Sequence, residues 1–281
     1  MNKFVDAHHH FWHPARGDYG WMPADDPTLS RPYGPADLED SLNAAGVAGT
    51  VLVQAAPTVE ETEYLLGIAD ATPHVLAVVG WVNFETAESL ETLQRLASHP
   101  MLVGVRPMIQ DLPDDKWMLR EDIQWAFEAL VDLDLTFDAL GFLQHMDHFH
   151  TLLKRHPDLR VVLDHCLKPQ IQNHSDKNFA EWSKRMSKLA RETGAYCKLS
   201  GLVTEAGEDW NNEMLKPYVE HVLEVFTPQR IMWGSDWPVV RLRGEYEDWF
   251  SSAVALTSHL KEEERNAIFS TNATEFYRLK S

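Results

Sequence analysis

Short runs of β-branched and aliphatic residues recur along the whole chain, each followed by a longer segment whose apolar positions repeat at helical spacing. Eight runs carry this pattern, over residues 4–8, 50–54, 75–82, 102–106, 135–140, 160–165, 195–199 and 231–236. The amphipathic segments between and after them cover 37–45, 59–71, 86–98, 121–132, 147–156, 179–193, 212–226 and 247–259. Strand–helix units repeated in this way predict parallel strands joined by crossover helices. The length of 281 residues suits one barrel of about 250 residues better than two small domains. The expected fold is therefore α/β, a single (β/α)8 TIM barrel domain spanning 1–281.

Two stretches break the rhythm. Residues 12–33 are rich in Pro, Gly and Asp, follow neither period, and read as a long loop after the first strand, at the end of a barrel where loops carry function. Residues 262–279 read as two short helices, the second opened by Asn272 with Glu275 three positions later in the manner of a capping box, and are expected to close the barrel.

Composition narrows the partners. With 43 acidic against 25 basic residues the formal charge is −18, which repels phosphate backbones and anionic lipid surfaces, so neither nucleic acid nor membrane is an expected partner. No stretch approaches the roughly 20 apolar residues of a membrane span, and the start of the chain lacks the apolar core of a secretion signal. A cytoplasmic location follows as the expectation, with self-association into a homo-oligomer left open. The ten tryptophans exceed what core packing asks for, and some are expected to line a pocket. Cys166 and Cys197 are too few for a disulfide framework or a thiolate zinc site and are expected to be reduced, structural thiols.

Candidate chemistry collects at strand ends. Side chains alternate across a strand, so His8 and His10 project to one side and His9 to the other, with Asp6 sharing the parity of the pair. At the carboxyl end of a first barrel strand the two imidazoles face the mouth, where a chelating pair is useful; a hydrogen-bonded polar strand end is the plainer alternative. The run ending in Asp164–His165, followed by Lys168–Pro169, and the run ending in Gly234–Ser235–Asp236–Trp237–Pro238 place an imidazole and a carboxylate at the same face, although an aspartate in such a turn can equally serve its own backbone. Arg106 closes the fourth run and, pointing inward, needs an anionic partner, either a substrate or a neighbouring aspartate. Gln54, Trp81 and Asn83, with Trp237, stand at comparable ends and are candidates for binding a polar ring, with packing the alternative for Trp81. His145, His148 and His150 sit at a predicted helix start without the spacing of ligands and are assigned to solvent. No dinucleotide fingerprint, phosphate loop or serine elbow occurs.

Read as Asp-x-His-x-His over 6–10, a strand-end His165 and a last-strand Asp236, the chain resembles the amidohydrolase superfamily, in its amidohydrolase-related branch, over nearly its whole length. Tyr19–Gly20–Trp21, Asp164–His165 with Lys168–Pro169, Ser200–Gly201–Leu202 and Gly234–Ser235–Asp236–Trp237–Pro238 are similar to the sugar-lactone hydrolases, such as L-fuconolactonases and L-rhamnonolactonases. The resemblance implies a distorted barrel in which Asp236 activates water while His8, His10 and His165 bind a divalent metal, zinc being the candidate, or polarise the carbonyl directly. Catalytic roles then fall to Asp236, His165 and His10, and a metal's ligands would be His8, His10, His165 and Asp236. The fourth strand ends in Arg106, without a bridging lysine or glutamate, which argues against a two-metal centre; some members of the branch dispense with metal altogether. The implied reaction is opening of a sugar-acid lactone by a hydrolase. A metal-dependent decarboxylase, a hydrolase of dicarboxylate (pyrone) lactones and a non-catalytic carbohydrate-binding barrel are the rival readings. Full activity after chelation excludes the decarboxylase.

Overall fold

A computed structural model describes residues 4–280, so the ends of the expected domain, 1–3 and 281, lie outside the described residues. The apolar runs become eight parallel strands whose order in the sheet is their order in the chain: β1 (Phe4–His9), β2 (Val47–Val53), β3 (Val75–Gly80), β4 (Leu102–Val105), β5 (Thr136–Ala139), β6 (Val161–Leu163), β7 (Tyr196–Leu199) and β8 (Ile231–Trp233). The seam between β8 and β1 is closed just beyond the last strand, where Asp236 N–H donates to His8 O at 2.8 Å and His10 N–H donates to Trp237 O at 2.7 Å. The expected barrel is thus formed.

Both faces of every strand are covered, which is why the runs read as continuous apolar stretches. Val5, Ala7, Val51, Val53, Ala77, Val79, Val162 and Met232 fill the barrel interior, and Phe276 and Tyr277 pack against them from the C-terminal segment. Leu52, Val78, Phe137, Leu163, Cys197 and Trp233 face the helices instead. Those helices are α1 (Pro35–Ala45), α2 (Val59–Ala71), α3 (Ser89–Ala97), α4 (Gln124–Asp132), α5 (Met146–Arg155), α6 (Asp176–Glu192), α7 (Leu202–Ala206), α8 (Asn212–Phe226) and α9 (Tyr246–Leu256), followed by α10 (Glu262–Asn266) and α11 (Asn272–Phe276).

Boundaries move where local chemistry decides them. Gly46 takes a left-handed conformation (φ 71°) that ends α1, and β2 begins at the next residue, three positions before the expected start. Ser175 caps α6 by accepting from Asn178 N–H, so the helix opens at 176 rather than 179. The expected strands over 160–165 and 231–236 stop at Leu163 and Trp233, because the polar residues that follow leave the ladder for turns. Asn272 is not the N-cap expected of it. Its backbone is helical (φ −62°, ψ −43°), continuous with a π-helical turn over Ala267–Thr271, and its side-chain amide donates to Pro228 O and Ile231 O at 2.7 and 2.6 Å. The residue ties the C-terminal plug to the foot of β8.

The long segment 12–33 is a loop, with one 3-10 turn at Pro14–Arg16. Paired backbone bonds between Trp12 and Tyr33, at 3.0 and 2.9 Å, cinch its base. Among the described residues no helix is long and apolar enough to cross a membrane.

Candidate active site

The first strand delivers its histidines through an irregularity. Asp6 pairs with Thr50 and His9 with Leu52, so β1 spends one residue more than β2 over this stretch, as in a β-bulge. Ala7 consequently faces the interior and His8 does too, whereas Asp6 faces outward, correcting the parity expected of it. Its Oδ1 accepts from His8 N–H (3.1 Å) and Ser235 N–H (2.9 Å), a clamp that holds the bulge against the start of the β8 turn. His10 is fixed by its Nδ1, which donates to Val53 O at 2.8 Å.

His165 is not on a strand. It opens a turn in which His165, Cys166, Leu167 and Lys168 all have positive φ (53°, 52°, 55° and 49°), a conformation that costs non-glycine residues on the order of 1 kcal/mol each. The turn survives because it is packed on every side: Trp182 Nε1–H donates to Cys166 O at 2.9 Å, and His165 Nδ1 meets Ser200 Oγ at 2.9 Å. Asp236 is also left-handed (φ 58°), which swings its carboxylate out of the strand line.

These elements bring the four predicted residues together. Asp236 Oδ1 lies 3.4 Å from His10 Nε2, 3.7 Å from His8 Nε2 and 3.8 Å from His165 Nε2, and the Nε2 atoms of His8 and His10 are 3.2 Å apart. Burial holds His165 down to about 4, and burial likewise lowers His8 and His10, so the imidazoles are neutral near pH 7. Burial alone would raise the Asp236 carboxyl, but His165, His10 and Lys168 outweigh it and hold the group below the usual carboxylate range. The result is an ionised carboxylate ringed by neutral rings.

Beneath it lies a buried charge cluster that sequence reading missed. Lys198 Nζ is 2.6 Å from Asp138 Oδ2, 3.1 Å from Asp164 Oδ1 and 3.1 Å from His8 Nδ1. Tyr277 donates its hydroxyl to Asp138 Oδ2 at 2.7 Å, so the C-terminal plug reaches this layer. The signal was available: Lys198 and Asp138 interrupt apolar strands, where an ionisable side chain has to be paired. Arg106 finds the aspartate partner that was one of its two expected roles, with Nη1 3.4 Å from Asp164 Oδ2, while Nη2 donates to Gln54 O.

The mouth opens as a cavity of about 160 Å³. His10, His165, Asp236 and Arg106 form its reactive floor, and Trp12 and Trp21 bring two of the tryptophans to its wall. Trp21 is pinned by Nε1–H donating to Ala55 O at 2.6 Å. Lys168 and Gln110, joined at 2.7 Å, sit across the rim. Neither Lys168 nor these two tryptophans were singled out as site residues, since a loop without a period gives no facing rule.

Four other candidates lie elsewhere. Gln54 is wholly buried, its amide donating to Arg106 O at 2.5 Å, and so braces the arginine without reaching the cavity. Trp81 is held by its backbone to Thr62 Oγ1, Asn83 caps a turn by accepting from Glu85 N–H, and Trp237 packs edge-on against Phe11 and Tyr33. None of these lines the cavity. The assignment of His145, His148 and His150 to solvent needs correcting for His145, which is buried with its Nδ1 accepting from Phe142 N–H at 2.9 Å; His148 and His150 are partly exposed, and His150 Nε2 meets Glu192 at the surface at 2.8 Å. Cys166 and Cys197 are free, buried thiols whose sulfurs are 3.7 Å apart.

The donor set fits a divalent cation. His8, His10 and Asp236 form one group of potential ligands, and His8 with Asp164 and His165 a second, sharing His8. The 3.2–3.7 Å spacing of the first group is close to the roughly 3.3 Å that separates donors bound at about 2.0–2.1 Å in a tetrahedral site, and neutral imidazoles with an ionised carboxylate carry the charge such a site requires.

Comparison with known proteins agrees with this architecture. The amidohydrolase family model matches residues 5–279. The L-fucono-1,5-lactonase of Burkholderia ambifaria is 40% identical over 99% of this chain and 97% of its own, and the L-fucono-1,5-lactonase of Burkholderia multivorans is 32% identical over 98% and 96%. A crystal structure of an amidohydrolase from Burkholderia multivorans with bound zinc has a TM-score of 0.93 at 31% identity, covering 99% of this chain and all of that one. Matched by the family model over nearly its whole length, the chain belongs to the amidohydrolase family.

Proposed function

We propose that the protein hydrolyses the ring ester of a sugar-acid lactone of the L-fucono-1,5-lactone type, acting as one barrel domain. The observation that carries the reading is the ionised Asp236 surrounded by three neutral imidazoles at 3.4–3.8 Å on the floor of a cavity sized for a single ring. The relatives at 40% and 32% identity, both named as lactonases for this ring, supply the substrate class.

In this reading Trp21, backed by the buried Trp12, shelves the sugar ring, and Lys168 and Gln110 exchange their mutual hydrogen bond for its hydroxyls. Asp236 takes a proton from water as it attacks the ester carbonyl and returns it to the ring oxygen as the ester bond breaks, a role typically worth about 10²–10⁴-fold. Arg106 and His165 face the same floor and stabilise the negative charge that develops on the carbonyl oxygen. A zinc ion held by His8, His10 and Asp236, with His165 beside them, would add Lewis-acid polarisation of that carbonyl.

A pH-indicator screen over aldonolactones and dicarboxylate lactones, run on chelator-treated and zinc-loaded protein, tests the reaction and the ion together. Acid release from an aldonolactone is expected. Replacing Asp236 with Asn should retain the fold by circular dichroism and lower kcat by at least a hundredfold. Near-normal turnover by D236N, or no lactone opened by the wild type, rejects the reading.

A further inference from the structure

Each ring nitrogen around Asp236 is assigned by what it touches, and the assignments form a chain. Val53 O can only accept, so His10 carries its proton on Nδ1 and presents a bare Nε2 to the site. That bare nitrogen lies 3.2 Å from His8 Nε2, a separation that a hydrogen on His8 and a cation shared by two bare nitrogens satisfy equally, so the other side of the His8 ring decides. His8 Nδ1 faces Lys198 Nζ at 3.1 Å, a group with hydrogens to give and no lone pair, so Nδ1 is the accepting atom of its ring and the proton sits on Nε2. Lys198 is itself held by Asp138 at 2.6 Å.

The opposite arrangement of His8 is nearly available. With its proton on Nδ1, the ring would turn that hydrogen toward Asp164 Oδ1, 3.5 Å away, and accept at Nε2 from Arg106 Nη1 at 3.4 Å. It would also set two donors against each other at 3.1 Å, His8 Nδ1 and Lys198 Nζ, and that shorter contact decides. Asp164 Oδ1 lies 3.1 Å from Lys198 Nζ and 3.5 Å from His8 Nδ1 without accepting a hydrogen bond from either, so a small turn of the His8 ring toward it completes the second form. A buried acceptor left without a hydrogen marks where the second form of His8 would place one.

We infer that Lys198 is a positioning residue that sets the tautomer of His8: without metal, His8 turns an Nε2–H toward His10, and only when the proton moves to Nδ1, onto Asp164, does Nε2 become a ligand. The ring stays neutral throughout. One hydrogen leaves Nε2, one is gained at Nδ1, and Lys198 keeps its own. Metal capture is therefore a choice between two inner partners of one histidine, Lys198 and Asp164, and holds whichever ester the site cleaves.

The test needs no substrate, so its failure is distinct from failure of the lactonase reading. In nitrogen-15-labelled, chelator-treated full-length protein, long-range proton–nitrogen correlation spectra report which nitrogen of each imidazole is protonated, and the His8 signals are those lost in His8→Asn. Metal-free His8 is expected to be protonated at Nε2 and His10 at Nδ1. Adding one equivalent of Zn²⁺ should invert the His8 pattern and leave that of His10 as it was. K198M, which removes the competing donor, should show the inverted His8 pattern before metal is added and bind Zn²⁺ at least tenfold more tightly by calorimetry, within the range over which partners behind a ligand tune affinity. A metal-free His8 already protonated at Nδ1 overturns the inference, as does Zn²⁺ that binds without inverting it or binds neither protein. Should K198M not fold, the wild-type spectra with and without Zn²⁺ decide alone.

Discussion

Arg106 shows how much of the candidate site rests on single side chains. Its guanidinium spans Gln54 O on one side and Asp164 on the other while still reaching the cavity floor, and Gln54 returns a bond to Arg106 O. A lysine carries the same charge without the planar fork that makes two directed bonds at once. R106K is therefore expected to fold and to lose on the order of 10–100-fold in kcat/KM, about 1.4–2.8 kcal/mol of transition-state binding, whereas R106A should also lose thermal stability, because it leaves Asp164 with one cation fewer. Steady-state kinetics with a thermal melt separates the two. R106K at wild-type efficiency would assign the arginine to structure alone.

At the scale of elements, the placement of the histidines depends on glycines at the ends of β7 and β8. A Cβ at Gly201 would stand 2.7 Å from His165 Cγ, on a residue already at φ 68°, and one at Gly234 would stand 2.7 Å from His8 Cβ. G201A is expected to cost about 1 kcal/mol from the left-handed backbone alone and to displace His165. Its melting temperature should fall, and kcat should fall further than the loss of folded protein explains. Unchanged kcat would free His165 from a precise position.

The barrel and the four converging residues were legible because polar side chains at the ends of apolar runs stand out against a strong period. Asp6 was misplaced because a bulge, invisible to alternation, flips everything before it. Lys198 and Asp138 escaped notice inside runs read as apolar. The cavity wall escaped because Trp12, Trp21 and Lys168 are aimed by a loop and a left-handed turn, whose directions depend on packing from distant parts of the chain.

For the whole molecule, pH is the informative variable. Burial raises Glu61 to about 7, where its carboxylate accepts from Ala55 and Ala56 N–H, and raises Asp6 to about 6. A carboxyl that binds its proton more tightly folded than unfolded gives stability at low pH that is lost as pH rises from about 4.5 toward 7. The buried histidines, lowered by burial, act oppositely up to about pH 6.5, and Asp164 and Asp236, lowered by the cations and imidazoles around them, give stability that is constant above about pH 4 and lost only below it. The raw stability curve thus mixes signs, and a difference curve isolates one group. E61Q minus wild type should be near zero or negative at pH 4.5 and grow with pH to a plateau above 7, by on the order of 2–3 kcal/mol. Denaturant unfolding at several pH values measures it, and a flat difference curve removes Glu61 from the account.

The seam of the barrel joins its first and last strands: His8 belongs to the first and His10 follows it, Asp236 follows the last, and Tyr277 braces Asp138 from the segment that plugs the floor. A ribosome making this chain delivers more than two hundred residues between His10 and Asp236. In that interval the early histidines wait without their carboxylate, and a chain ending before Asp236 never acquires it.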